Sequence, residues 1–483
     1  MNYAVLIPMI VFLLLIFFIG FWSSKKLATS SNFVSDYFLG GRELGGFVLA
    51  MTMVATYGSA SSFLGGPGTA YTMGFGWVLL AMTQVVTGYF VLMILGKKFA
   101  IMARRYKAVT MIDFLKARYD NSKAVVLLSA FSIIIFLFSA MAAQWIGGAR
   151  LIESLTGLSY NSALFLFAVS VLVYVTIGGF RAVALTDAVQ GAVMLIGTAI
   201  LLVAVIAAGG GIPNIVQDLI NENPGLVTPY GADNNLSAAY VSSFWILVGV
   251  GVVGLPQIAV RAMSYKNSRS MHRALIIGTL VTGVIMLNMH LIGVFARPIL
   301  PGIDIGDKVI PLIALDTLPP WLAGIVLAAP LAAIMSTVDS LLLIVSSSIV
   351  RDVFLNYIKP EAEIKTIKRI SFGVTAALGA GVFLLALDPP DLLIFLNLFA
   401  FGGLEAAFIW PVVLGLYWKW GNKYGAIASM ITGIGTYIAL HFYNQEYGNL
   451  LGVHTVTFPV LLSLAAFVAF SLLIGRKAYD YAG

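Results

Sequence analysis

The sequence predicts an all-α polytopic membrane protein, and two observations predict it. Apolar runs of about 20 residues, the length that crosses a bilayer, recur from one end of the chain to the other. Of the 483 residues, 60% are hydrophobic and only 10% are charged, which is more apolar surface than a soluble protein could bury. The absence of cysteine excludes disulfide and thiol chemistry. The histidines do not lie at metal-ligand spacing from one another.

Thirteen membrane spans are predicted from these runs. The first, at residues 3–23, lacks a basic start and a small-residue cleavage site, so it is predicted to be retained rather than removed as a signal peptide. The others follow at residues 46–70, 76–96, 124–154, 161–178, 184–207, 239–262, 274–296, 321–349, 370–387, 392–418, 424–442 and 457–475. No hydrophilic stretch is long enough for a separate soluble domain, so residues 1–483 are predicted to form one transmembrane domain.

The positive charges lie on one side of the predicted membrane. All 28 lysines and arginines except Arg150, Arg297 and Lys308 fall at the same side when the loops alternate. Positively charged loops stay inside, so the N-terminus is predicted outside and the C-terminus inside. The formal charge of +7 is therefore explained by orientation in the membrane. It requires no anionic partner, and a nucleic-acid-binding protein is excluded.

The second and seventh spans carry helix-breaking residues at mid-membrane. The second contains MTMVATYGSASSFLGGPGTAY at residues 51–71, and the seventh contains Gly249, Gly251, Gly254 and Pro256. Since the two are five spans apart, they cross in opposite directions, as in an inverted repeat. Paired interrupted spans of this kind indicate the midplane binding site of a transporter. Glycine and proline also occur in ordinary membrane helices as kinks, and it is the opposed pair that favours a binding site.

The ninth span places polar side chains inside the membrane. Ser336, Asp339 and Ser340 share one helical face, and Thr337 lies beside them. Hydroxyl and carbonyl oxygens suit a hard cation, although membrane serines also bond to their own helix or to a neighbouring one. An acid in a span is functional by default, so Asp339 is predicted to be protonated, paired or bound to a cation. The alternative is an aspartate hydrated at an inner vestibule.

Four further polar residues lie within or near the spans, and alternatives stay open for three of them. Asp187 is interpreted as functional, or as a carboxylate that is solvated or paired with Arg181. Glu405 indicates a substrate role or a buried pair, and Gln144 a substrate contact or a bond between helices. Glu153 is interpreted as an i, i+3 partner of Arg150.

At these residues the chain resembles the solute:sodium symporter family from end to end. The resemblance is carried by DYFLGGR, ASSFLGGPGTAY, GWVLLAM, LGKKFAI, ARRY, IGGARL, YGAD, SYKNSRSMHR, LAAPLAAIMST and LNLFAFGGLEA followed by WPVVLGLYW. It implies a LeuT-type fold with two inverted five-helix repeats at residues 46–207 and 239–418. One extra span would precede them within residues 1–45, and two would follow within residues 424–483.

The resemblance also implies the residues of the ion sites. The sodium site of the family carries over to Ala55, Gly58, Ala333, Ser336 and Thr337. A second cation site in some relatives carries over to Asp187, Asp339 and Ser340, where two acids leave open whether sodium, a proton or nothing binds. The chain departs from the related proline carrier at Tyr57, where that carrier has an aspartate.

The predicted function is secondary active transport, in which a sodium gradient drives uptake of a small carboxylate across the cytoplasmic (inner) membrane. Overall likeness within the family favours pantothenate, with proline, another organic acid or a sugar as alternatives. The predicted solute contacts are Tyr57, Ser59, Ser62, Gln144 and Gln257. No cofactor or metal is predicted beyond the sodium ion. A channel would need a pore filter, an enzyme a convergent catalytic set and a sensor a signalling domain, and none is found.

Overall fold

A computed structural model describes residues 3–28, 43–175, 179–474 and 479 of the chain. The stretch DYFLGGR, residues 36–42, lies outside this part. Within it every regular element is a helix, and an isolated parallel bridge joins Leu44 to Tyr265. Long apolar segments without partner strands can satisfy their backbone groups in a bilayer only as helices.

The helices are numbered along the chain. They are α1 Tyr3–Ala28, α2 Gly46–Tyr57, α3 Ser61–Met73, α4 Phe75–Arg105, α5 Met111–Arg118, α6 Lys123–Thr156, α7 Tyr160–Val175, α8 Gly179–Ala208, α9 Ile212–Glu222, α10 Ala238–Gly254, α11 Pro256–Met263, α12 Ser268–Ile299, α13 Val309–Thr317, α14 Pro320–Ile358, α15 Ile364–Leu385, α16 Ile394–Tyr417, α17 Lys423–Tyr447 and α18 Thr457–Leu473. Short 3₁₀ turns, including Gly306–Lys308, lie in the loops.

Each predicted span falls on one of these helices or on a bent pair of them. In the described residues, nine helices are long and apolar enough to cross a membrane, or up to eleven if each bent pair counts as one span. The shorter apolar helices α7 and α18 stand where the fifth and last spans are predicted. The all-helical class is confirmed, whereas the number of thirteen spans and the orientation of the termini stay predictions.

Both spans predicted to be interrupted are bent. α2 and α3 meet at 67°, and α10 and α11 meet at 51°. The chain between α10 and α11 reaches an extended conformation at Leu255, and Pro256 then begins α11. Proline is favoured at that first helical position because it has no N–H to leave unpaired. The bends thus occur where the glycines and the proline predict them.

The interior of the helix bundle is formed around α14 and α16. In the apolar window of α14, 83% of the residues are buried, and in that of α16 the share is 78%, against 18% in α15. α14 packs against α1, α2, α6 and α8, and α16 packs against α6, α17 and the end of α10. The polar residues of these two helices therefore face protein rather than lipid.

One glycine between α3 and α4 is required by its conformation and by its contacts. Gly74 has a φ of +77°, a region that disfavours side chains. A Cβ there would lie 2.2 Å from the carbonyl oxygen of Leu226 in the loop after α9. The loop after α9 thus packs directly onto the end of the first broken span.

Candidate functional site

The first broken span exposes backbone carbonyls between α2 and α3. α2 ends at Tyr57, and Gly58 follows with an extended backbone, φ −67° and ψ 122°. The helix restarts when Ser62 and Phe63 both donate their N–H groups to the Ser59 carbonyl. Carbonyls in the last turn of a helix have no partner further along it. At membrane depth such groups are tolerated where protein or a cavity surrounds them.

α14 brings two hydroxyls to these carbonyls. Ser336 Oγ donates to the Ala55 carbonyl at 2.8 Å, and Thr337 Oγ1 donates to the Gly58 carbonyl at 2.9 Å. Both hydroxyls also donate to the Ala333 carbonyl, at 3.1 and 2.9 Å. The structure therefore brings together all five residues predicted for sodium. A hydroxyl can turn its lone pairs toward a cation, so these neutral oxygens form a set that a hard cation can use.

The residues predicted for a second cation meet an arginine instead. Arg261 of α11 places Nη2 3.1 Å from Asp187 Oδ2 and 2.8 Å from Ser340 Oγ. Both members of the ion pair are buried, with side chains 1% and 0% exposed. Thr52 of α2 also donates to Asp187 and accepts from Arg261 Nε. The guanidinium thus joins α8, α14 and the first broken span to the second.

Asp339 lies close to the same arginine without sharing its hydrogen bonds to Asp187. It is 2% exposed and within electrostatic range of Arg261. The alternative of an aspartate hydrated at a vestibule is therefore wrong for this conformation. Sequence reasoning does not find Arg261, because a basic residue near the end of a predicted span indicates a charge that orients the protein in the membrane. The signal that could have found it is Asp187, an acid in a predicted span of the other half of the chain, since an acid at that position needs a partner.

A cavity between the two broken spans contains only part of the predicted solute set. Tyr57 and Ser62 line it. Ser59, Gln144 and Gln257 do not. The polar lining that sequence reasoning missed consists of Ser61, Trp77, Gln84, His290 and Asn397, and the apolar lining includes Leu80, Phe244, Val248, Ile394, Leu398 and Phe401.

Gln144 has a structural position next to the cavity. Its Oε1 accepts the N–H of Ala60 at 2.8 Å, and its Nε2 donates to the Ala140 carbonyl at 3.3 Å. Ala60 stands where the helix restarts, and the first N–H groups of a helix need partners from outside it. Gln144 therefore caps the restarted helix, which agrees with the alternative of a bond between helices, and its contact with the solute stays a prediction.

The cavity offers hydrogen-bond donors but no ionised side chain. Among the described residues, Ser61 Oγ and Trp77 Nε1 are buried and have no hydrogen-bond partner. Trp77 is held edge-on to Phe244, with ring centroids 6.0 Å apart. No aspartate, glutamate, lysine or arginine is part of the described lining. Buried polar atoms are usually paired, so two free donors on residues that line one cavity indicate a place for an acceptor-rich solute.

Tyr57 ties the first broken span to the second. Its hydroxyl donates to the Val248 carbonyl at 3.0 Å, and Thr87 of α4 donates to the same oxygen at 2.6 Å. Val248 lies in a π-helical stretch of α10, where the usual backbone bonds are shifted. Where the related proline carrier has an acid, this chain therefore has a hydroxyl that holds the other broken helix.

The turn Gly306–Lys308 packs against the middle of α3. A Cβ on Gly68 would lie 2.4 Å from the Gly306 carbonyl oxygen, so the two backbones are in direct contact. Asp307 is buried and accepts the N–H of Leu393, at the start of α16, at 3.2 Å. Burial raises the pKa of the Asp307 carboxyl to about 7, although the Leu393 N–H opposes the rise. Lys308 extends the contact by pairing with Glu153 at 3.1 Å.

Comparisons by sequence match nearly the whole chain. Residues 37–433 match the model of the sodium:solute symporter family. The chain is 49% identical over 469 residues to the sodium/pantothenate symporter of Escherichia coli, covering 97% of this chain and 96% of the relative. It is 47% identical to the sodium/pantothenate symporter of Haemophilus influenzae, covering 99% and 97%. It is 30% identical to an osmoregulated proline transporter of Bacillus subtilis, covering 99% and 96%.

Comparisons by structure give the same fold. A Na⁺-coupled sialic acid symporter matches with a TM-score of 0.77 at 19% identity, covering 98% of this chain and 97% of that chain. A nucleobase-cation-symport transporter matches with a TM-score of 0.55 at 15% identity, covering 91% and 95%. At these identities the likeness concerns the fold alone. It confirms the predicted class, an all-α polytopic membrane protein of LeuT type.

Proposed function

The chain belongs to the sodium:solute symporter family, and from that premise we propose that it takes up pantothenate together with sodium. It is a secondary transporter and not an enzyme, and it spans the cytoplasmic (inner) membrane several times. The cargo is proposed from the two relatives named sodium/pantothenate symporters, each nearly half identical to this chain over almost its full length.

The sodium site is proposed at Ala55, Gly58, Ala333, Ser336 and Thr337. The observation that supports it is the meeting of three backbone carbonyls with two hydroxyls at 2.8–3.1 Å. Carbonyls of an unwound span are the ligands that sodium-coupled transporters of inverted-repeat folds use. Because these ligands are neutral, the ion keeps its charge, and its movement is driven by the membrane potential. Each charge moved across 100 mV contributes about 2.3 kcal/mol.

The solute is proposed to bind in the cavity between the broken spans. Tyr57 and Ser62 remain from the predicted set, and Ser61, Trp77 and Asn397 join them. Pantothenate has a carboxylate, an amide and two hydroxyls, which are mostly acceptors, and the free Ser61 and Trp77 donors fit them. The carboxylate would lie near the start of α3, where the positive end of the helix dipole favours an anion. The apolar lining suits the branched carbon chain.

The Asp187, Asp339 and Ser340 region is proposed to need no second sodium while the arginine is in place. Arg261 supplies a positive charge at hydrogen-bond distance from Asp187 and Ser340. A cation added beside it would be repelled, since like charges at short range are costly in a buried site. Sodium entering at the first broken span would then fix that span first, create the solute site, and precede rocking of the bundle to the inner side.

The experiment that tests the function is uptake of labelled pantothenate into proteoliposomes under an imposed inward sodium gradient. Uptake is expected to stop when potassium replaces sodium outside and to fall when unlabelled pantothenate is added. Proline, other organic acids and sugars serve as competitors, since the alternative is a sodium symporter of such a solute. If a competitor is taken up with sodium and pantothenate is not, the competitor is the cargo, and the proposal of sodium coupling still holds.

A further inference from the structure

Glu405 is a buried acid that the sodium and solute sites leave unused. It lies in the middle of α16, is 0% exposed, and stands one turn deeper than Phe401, which lines the solute cavity. Its carboxyl faces the break of the second broken span. A Cβ built on Gly251 would lie 2.5 Å from Glu405 Oε2, so only a glycine leaves room for the carboxyl there.

Neither oxygen of this carboxyl has a hydrogen-bond partner among the described residues, and Glu405 takes part in none of their ion pairs. Among the described residues, the ionisable side chains found within electrostatic range of it are those of Tyr57 on α2 and Tyr437 on α17. Tyr57 already donates to the Val248 carbonyl. The stretch of α10 at residues 245–254 contains no ionisable residue, and α6 meets this part of α16 with Phe136.

An ionised carboxylate in these surroundings would be costly. A charge buried without a partner costs several kcal/mol, and such a group takes up a proton instead. Arg261 of the neighbouring half-helix is occupied by Asp187 and Ser340. A neutral carboxylic acid is therefore the form that fits this closed arrangement. When the solute cavity opens to water, the cost of ionising a side chain one turn below it falls.

We propose that Glu405 is a proton-binding site linked to solute binding, which holds a proton while the cavity is closed and exchanges it with water while the cavity is open. The proton comes from water on the open side and returns to water, so no other reactant is needed. The inference rests on the proposed function, because it links proton binding at Glu405 to closure of the cavity around the solute. The family's sodium site takes no part in it.

The linkage predicts a pH dependence with a definite sign. If closure around the solute requires protonated Glu405, the apparent affinity for pantothenate falls as pH rises above the pKa of the open state. Because one proton is involved, the apparent affinity falls by at most about tenfold for each pH unit. Glu405→Gln keeps the shape and is always neutral, so its affinity is expected to stay within about twofold from pH 5.5 to pH 8.5. At high pH the variant is expected to bind pantothenate more tightly than the wild type.

The matched control is Glu153→Gln, which neutralises a partly exposed acid at the outer end of α6 and is expected to keep the wild-type pH profile. Superimposable profiles of wild type and Glu405→Gln would overturn the proposal. If Glu405→Gln does not reach the membrane, Glu405→Asp replaces it. The shorter acid is expected to shift the pH profile, and an unshifted profile would overturn the proposal equally.

Infrared spectroscopy tests the proton directly and does not depend on the cargo. In purified wild-type protein, the C=O stretching band of a protonated carboxylic acid is expected, and the part of it due to Glu405 is lost in Glu405→Gln or shifted in Glu405→Asp. If these substitutions leave the C=O band of the protonated acids unchanged, Glu405 is ionised in the wild type and the inference is overturned. Failure of pantothenate uptake by the wild type instead overturns the proposed function, so the two failures are distinguishable.

Discussion

The two broken spans differ in what fills the break. Between α2 and α3 the partners are neutral: hydroxyls of α14 meet the Ala55 and Gly58 carbonyls, and Gln144 caps the restart at Ala60. At the second break the partners include ionisable groups. The Tyr57 hydroxyl holds α10, the Glu405 carboxyl faces Gly251, and α11 carries a buried arginine.

This difference indicates a division of roles between the two halves of the chain. Neutral oxygens can hold a small cation and release it, since no fixed charge binds it too firmly. Buried charges are expensive unless they are paired, so the second break and its surroundings depend on their partners. The first break is therefore expected to respond to ligand geometry, and the second to changes of charge.

The largest effect is expected from filling the neutral break. In Gly58→Leu the side chain has no room, because even a Cβ at Gly58 would lie 3.2–3.4 Å from Val54 O, Met194 Sδ and Phe63 Cε2. Uptake of pantothenate is expected to fall to background at normal membrane abundance. The glycine is needed here for space alone, since its extended backbone is open to any residue.

Gly58→Ala is the matched control for that variant. It adds only the Cβ, so partial uptake is expected after small shifts of flexible neighbours such as Met194. Full activity of Gly58→Leu would place the ion and the solute elsewhere in the bundle.

A large effect is also expected from breaking the ion pair between Asp187 and Arg261, the buried arginine of α11. Asp187→Asn leaves Arg261 buried without its ion partner, a change that costs about 3–5 kcal/mol in buried pairs. The apparent melting temperature of the purified protein and the uptake rate are both expected to fall strongly. The double variant Asp187→Asn/Arg261→Gln removes both charges and is expected to recover part of the lost thermal stability. A double variant no more stable than Asp187→Asn would show that the pair does not hold these helices.

An intermediate effect is expected from removing the hydroxyls of the neutral break. The double variant Ser336→Ala/Thr337→Ala keeps the three backbone carbonyls of the proposed sodium site and removes its two hydroxyl ligands. The sodium concentration for half-maximal uptake is expected to rise about tenfold, which corresponds to about 1.4 kcal/mol. Ser347→Ala is the control, because that hydroxyl donates to the Ile344 carbonyl of its own helix. Unchanged sodium dependence of the double variant would end the sodium assignment.

A smaller effect is expected at Asp339, which lies between the two kinds of site. It stands one turn beyond Ser336 and within electrostatic range of Arg261. Asp339→Asn leaves the neutral ligands intact and is expected to raise the sodium requirement by only about threefold, which is under 1 kcal/mol. Solute selectivity is expected to stay unchanged. Sodium curves of wild type and variant that coincide at every pH from about 5.5 to 8 would make the carboxylate a bystander in coupling.

Sequence reasoning reached the neutral break more fully than the charged one, for a physical reason. The sodium set was implied by the family resemblance, which two short stretches carry, one around Gly58 and one around Ser336, so all five residues could be carried over from local sequence. The partnership of Asp187 with Arg261 joins residues 74 positions apart, and no local pattern reports it. Trp77 and Ser61 were missed for the same reason, since their free donors are apparent only once α4 packs against α3 and α10.

The smallest effect concerns thermal stability alone. It tests the turn Gly306–Lys308, which packs against α3 of the first broken span. Burial raises the pKa of Asp307 from 3.8 to about 7 in the folded protein, against the Leu393 N–H and Arg150, which lower it. Between about pH 4 and pH 7 the folded state keeps a proton that the unfolded state has lost. The free energy of unfolding contributed by this group therefore falls as pH rises through that range. Asp307→Asn carries no such proton, so its loss of stability with rising pH is expected to be smaller.

The measurement is the apparent melting temperature of the purified protein at about pH 5 and pH 8. Asp307→Asn is expected to gain about 2 °C or more on the wild type at the higher pH, and little at the lower, where the wild-type carboxyl is already neutral. Asp304→Asn is the control, because Asp304 is exposed in the same loop. An equal change at both pH values would mean that a lost contact, such as the bond to the Leu393 N–H, matters and the charge does not. This turn packs on Gly68 rather than on the sodium ligands, so the sodium dependence of uptake is expected to stay at the wild-type value. That outcome would distinguish Asp307→Asn from the variants at Gly58, Ser336 and Thr337, which change the proposed sodium site itself.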